Sequence, residues 1–73
     1  MRRTRKRPEL PAVEDRRAIR EASGMTQAQL AVAIFVSPSS IAGWERGIRQ
    51  PRGLQRDAYA KALNQLKEEQ EDS

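Results

Sequence analysis

Seventy-three residues with 37% apolar content hold one domain at most, so a second domain is excluded and the small core has to gain its stability from close helix packing. Without Cys there is no disulfide framework, thiolate metal site or cysteine nucleophile, and without His the usual zinc ligand, general base and near-neutral titrating group are missing as well. The 14 basic and 10 acidic residues leave +4, spread unevenly: residues 67–73 hold one Lys and four acids, whereas residues 1–66 hold 13 basic and 6 acidic groups. A basic surface upstream of the tail points to a polyanionic partner such as nucleic acid. No apolar run approaches the roughly 18 residues of a membrane span, and no apolar segment follows the basic start as in a secretory signal, so a cytosolic location with no membrane partner is expected.

Residues 1–7, MRRTRKR, carry five cations and no core-forming side chain. With Pro8 and Pro11 behind them, residues 1–10 read as a basic, extended, flexible arm that orders when it meets negative charge. From Pro11 the pattern turns helical. Glu14 and Asp15 suit a helix N-terminus, Val13, Ala18, Ile19 and Ala22 can line one stripe, and Gly24 stops the helix, which is predicted over about residues 12–22.

Thr26 and Gln29 have the spacing of a capping box, which starts a second helix at about Gln27. That helix has to end near Phe35 and Val36, because Ser37 is a good N-cap and Pro38 suits the first position of a third helix. The third is predicted from Pro38 to about Arg46, with Ile41 and Trp44 on its inner face and Gly47 as its stop. The segment IRQPRG is a basic loop. A fourth helix follows, with Leu54, Ala58, Ala62, Leu63 and Leu66 at helical spacing and Tyr59 beside them, at the core edge or at an interface. The pattern fades into residues 67–73, an acidic and frayed tail. One domain over residues 11–66 is the expected unit.

Two short helices joined by a tight turn, with a small residue at their crossing, apolar inner faces and a polar start to the second, are what a helix-turn-helix unit needs. Residues 26–47, TQAQLAVAIFVSPSSIAGWERG, supply Ala31 at the crossing, Leu30, Ile34, Val36, Ile41 and Trp44 facing inward, and Ser37, Ser39 and Ser40 at the opening of the second helix. The pieces SGMTQAQLA and VSPSSIAGWERG, and the Pro-Arg that follows, resemble the Cro/C1 (XRE-like) helix-turn-helix family of bacterial and phage DNA-binding regulators, over roughly residues 12–66. The resemblance implies an all-α, four- or five-helix, lambda-repressor-like DNA-binding domain that controls transcription, and in many members a dimer.

Carried onto this chain, the resemblance makes Gln27 a phosphate-contacting glutamine and Ser37 a second backbone contact. It places the base-reading positions at Pro38, Ser39, Ala42 and Gly43, with Ser40 nearby. Arg46, Arg49 and Arg52 match the basic residues that follow the recognition helix along the sugar-phosphate backbone, with Arg52 within reach of a minor groove. Arg2, Arg3, Arg5, Lys6 and Arg7 add an arm that can wrap duplex DNA. Glu45 is expected to anchor an arginine or a helix end inside the fold.

Two departures from the family pattern have consequences. Pro38, Ala42 and Gly43 stand where long polar side chains usually read bases, so direct readout by the helix is expected to be thin. Phe35 stands where the family commonly has Gly; a left-handed Phe there costs on the order of 1–3 kcal/mol, and its ring is expected to be buried in compensation. The leading expectation is a non-enzymatic, cofactor-free, sequence-specific regulator of double-stranded DNA, acting as a repressor of phage or mobile-element type. The rivals are a DNA-bending architectural or excision-type factor and an antitoxin-like interaction module with autoregulatory DNA binding. Leu63 and Leu66 are the candidates for a homodimer contact through the fourth helix. Ser and carboxylates are present without a general base, metal cluster or phosphate loop, which argues against an enzyme.

Overall fold

A computed structural model describes residues 7–71 and contains four α-helices in the order α1 (Val13–Ala22), α2 (Gln27–Ala33), α3 (Pro38–Arg46) and α4 (Gly53–Glu71), with no strand among the described residues. The all-α class and all four helices agree with the sequence reading. Local chemistry sets their starts. Thr26 Oγ1 accepts from Gln29 N at 3.0 Å while Gln29 Oε1 accepts from Thr26 N at 2.9 Å, so the capping box is complete and α2 begins at Gln27. Ser37 Oγ accepts from Ser40 N at 3.2 Å, and Pro38 occupies the first position of α3. Gly47, at φ 77°, closes α3 in the left-handed conformation, and a side chain there would come within 3.2 Å of Val13 Cγ1.

The helices enclose one core of Ile19, Leu30, Ala31, Ile41, Trp44, Tyr59 and Leu63, with Leu10, Met25, Ile34, Val36, Ala62 and Leu66 half-buried around it. α3 packs on α1 and α2, and α4 closes the bundle against α1. Tyr59, undecided from sequence, is fully buried and lies under Trp44, with ring centroids 4.8 Å apart and planes tilted by 45°. Leu63 is also fully buried, so it is a core residue and not the dimer contact expected of it. Leu54, expected in the core stripe of α4, sits in the first turn of that helix and is 86% exposed.

The inner face of α1 differs from the predicted stripe. Ala18 and Ala22 are exposed, and Arg16 and Arg20 are buried beside Ile19 in their place. Both arginines bury their stems because their guanidiniums meet acceptors inside the fold. Arg16 donates to Pro11 O at 2.8 Å and to Trp44 O at 3.0 Å. Arg20 donates to Met25 O at 2.8 Å and to Glu45.

The described residues that flank the four-helix core, 7–10 and 67–71, are also engaged with it. Arg7 pairs with Asp57 at 3.1 Å, Pro8 O accepts from Arg56 at 2.8 Å, Glu9 O accepts from Asn64 at 2.8 Å, and Leu10 packs on the core, so residues 7–10 lie along α4. α4 continues to Glu71, so residues 67–71 of the stretch read as frayed are helical, and the Gln70 side chain holds them by donating to Ile19 O at 2.9 Å and Ser23 Oγ at 2.8 Å.

Phe35 is the residue between α2 and α3 with a left-handed backbone, at φ 61°. Its ring is 93% exposed, which overturns the expectation of compensating burial: the turn at this point leads the side chain away from the core. Strain without packing return predicts that Phe35→Gly raises stability by about 1 kcal/mol, seen as a thermal midpoint roughly 4–8 °C higher in a domain of this size. A lower midpoint would mean that the ring makes a stabilising contact after all.

Candidate nucleic-acid interface

With Ile41, Trp44 and Glu45 turned inward, the helical period leaves Pro38, Ala42 and Arg46 in one outer row of α3, with Ser39 and Gly43 in the row beside it. The outer row forms one wall of an open groove between α1, α2 and α3, and Arg17 and Gln27 stand on its other side. The fold thus gathers Gln27, Pro38, Ala42 and Arg46 from the expected set at one surface. Arg17 joins them although sequence reasoning had not singled it out. The available signal was a basic run in α1, Arg16, Arg17 and Arg20, of which Arg17 alone faces solvent. Its exposed pair with Glu21, at 2.9 Å, is of the kind worth little in water and readily exchanged for another anion.

Beneath the groove lies a buried ion pair. Arg20 addresses both carboxylate oxygens of Glu45, through Nε to one and through Nη2 to the other at 3.0 Å, and Gln27 Nε2 donates to the same carboxylate at 3.1 Å. Glu45 therefore anchors an arginine inside the fold, as expected. Burial pushes its carboxyl up, but the hydrogen bonds from Arg20 and Gln27 and the positive charges of Arg20 and Arg17 outweigh that, and the net position is below the usual carboxylate value. Gln27 is positioned by this contact, which uses one amide hydrogen and leaves the other for a ligand.

The serines divide by role. Ser37 caps α3 and lies 3.2 Å from Ser39 Oγ and 3.0 Å from Ser40 Oγ, so its hydroxyl is engaged within the protein. Ser39 is exposed on the outer face, whereas Ser40 is half-buried at its edge. Gly43, expected among the base-reading positions, is buried beneath the side chain of Arg49. Arg46, Arg49 and Arg52 are all exposed, and among the described residues their guanidiniums form no ion pair or hydrogen bond, in contrast to those of Arg7, Arg17, Arg20 and Arg56. Arg46, Arg49 and Arg52, at and just after α3, make the local potential positive. Arg2, Arg3, Arg5 and Lys6 lie outside the described residues.

No cluster of three or more metal-ligating side chains occurs among the described residues, and none of their helices is long and apolar enough to cross a membrane. A family profile described as helix-turn-helix matches residues 17–69, a span that includes all of α2 and α3 and most of α1 and α4. No curated protein and no solved structure matches the chain.

Proposed function

The chain belongs to the Cro/C1-type helix-turn-helix family, whose members bind DNA, and from that premise we propose that it is a sequence-specific transcriptional regulator that inserts α3 into the major groove and represses by occluding its site. The observation that carries this reading is the convergence of Arg17, Gln27, Arg46 and the short outer residues of α3 on one groove, with Arg49 and Arg52, unpaired among the described residues, beyond it. Pro38, Ser39 and Ala42 allow the helix close approach to base edges, while the arginines and Gln27 address the flanking phosphates. The sequence adds five further cations, Arg2, Arg3, Arg5, Lys6 and Arg7, whose charge favours approach to duplex DNA. Two copies on a two-fold site would hold their α3 helices about 34 Å apart.

Fluorescence anisotropy on duplex DNA at stepped salt concentrations tests the reading. Binding should weaken linearly on a log–log plot, and Arg46→Ala or Arg52→Ala should each lower the slope by about one. Absence of binding at low salt, or binding indifferent to salt, would remove the basis for it.

A DNA-bending architectural role is the second reading, supported by the absence of long polar side chains at Pro38, Ala42 and Gly43. Circular-permutation gel mobility separates the two, since a bending factor retards a centrally placed site most.

A further inference from the structure

The outer face of α3 has no long polar side chain before Arg46, and the most informative of its small residues is Gly43. A Cβ built there would stand 2.7 Å from Arg49 Cδ, 2.9 Å from Cγ and 3.2 Å from Cβ. These separations are below or near the limit of carbon–carbon contact, so the stem of Arg49 occupies the space that a side chain at position 43 would have used. The backbone directs it there. Ile48 N and Arg49 N both donate to Gly43 O, at 3.1 and 3.3 Å, which folds the loop back over the last turn of α3. Beyond Cδ the guanidinium reaches solvent with no acid or acceptor bound to it among the described residues.

We propose that Arg49 provides α3 with the base-reading side chain that the helix itself lacks, its guanidinium donating to O6 and N7 of a guanine in the major groove, and that Gly43 is the position that admits it. This rests on the reading of α3 as the recognition helix and changes the role of Arg49 from phosphate grip to specificity determinant. Two physical points favour a base over a phosphate. The stem lies over Gly43, which follows Ser39 by one turn on the outer side of the helix read as entering the groove. Packing against Gly43 also fixes most of the stem before binding, which suits the directional, planar fork that guanine recognition needs and lowers the ordering cost of using a long side chain.

Selection of binding sites from random duplex DNA, carried out in parallel with the unaltered protein, Arg49→Ala and Gly43→Ala, tests the proposal. The unaltered protein should select a site containing a G·C pair for which Arg49→Ala loses about 5- to 150-fold of its preference, with the other positions unchanged. Gly43→Ala should weaken preference at that same base pair, because its methyl displaces the Arg49 stem, while circular dichroism shows the helices retained. An unchanged selected sequence with affinity reduced evenly for all duplexes would make Arg49 a phosphate contact and overturn the proposal. Retained preference at that pair in Gly43→Ala would overturn the part assigned to Gly43. Salt-dependent duplex binding with no selected sequence would overturn base reading but leave DNA binding standing; absence of duplex binding would overturn both.

Discussion

Glu45→Ala is expected to cost about 3–5 kcal/mol, a large part of the stability of a domain of this size. Among the described residues Glu45 is the one buried acid that meets Arg20, which is 7% exposed, so its removal leaves the guanidinium with Met25 O and with the half-exposed Glu21 carboxylate 4.0 Å away. The same substitution frees Gln27 from its anchor, so whatever protein stays folded should also bind DNA less well. Urea denaturation followed by circular dichroism measures the loss. Replacing both partners, Arg20→Met with Glu45→Leu, is expected to recover most of it, because neither charge of the pair is then left buried without the other. A loss under 1 kcal/mol in the single variant would mean that water reaches Arg20 in the folded state.

The pair also sets an acid limit. The folded Glu45 carboxyl titrates below its unfolded value of 4.5, so its contribution is fully present above that pH and is lost as pH falls through the lower, folded value. The Arg20→Met/Glu45→Leu protein should lack this part of the acid-induced loss.

Tyr59 is the second site of large effect, and the two obvious substitutions should act in opposite directions. Tyr59→Ala empties the space under Trp44 and is expected to cost about 3–5 kcal/mol. Tyr59→Phe should stabilise by about 1 kcal/mol, because the Tyr59 hydroxyl is buried with no hydrogen-bond partner among the described residues and its desolvation is uncompensated. Burial, followed by the charge of Glu45, pushes the phenol up to about 12, with Arg16 and Arg20 opposing. The unfolded chain ionises near 10 and the folded one does not, so stability is intact below pH 10 and declines as pH rises towards 12. That alkaline decline should be smaller in Tyr59→Phe, and an equal decline in both proteins would assign it to other groups.

Much of the fold was legible because its punctuation is local. Thr26 with Gln29, Ser37 with Pro38, and Gly47 act within one turn of themselves, and their geometry follows the spacing in the chain. Errors arose where hydropathy stood in for packing. Ala18, Ala22 and Leu54 are apolar and face solvent, whereas Arg16 and Arg20 are charged and face the core, since each arginine finds an acceptor on a segment that residue type alone does not bring near. The candidate site divides similarly: the short residues of α3 and the basic loop are visible in the sequence, but Arg17 enters the groove only when α1 packs on α3.

By itself the sequence determined the order of the four helices, the caps of α2 and α3, the family they belong to, and the excess of positive charge upstream of the tail. Which of those charges are free was decided only by the tertiary structure. Arg16 and Arg20 are consumed by partners 28 and 25 residues away, and Arg49 is laid over Gly43 by a loop that turns back on α3. Caps are short-range hydrogen bonds that a local pattern can encode, whereas the fate of a long cationic side chain depends on which acceptor, or which missing methyl group, the folded chain brings within its reach.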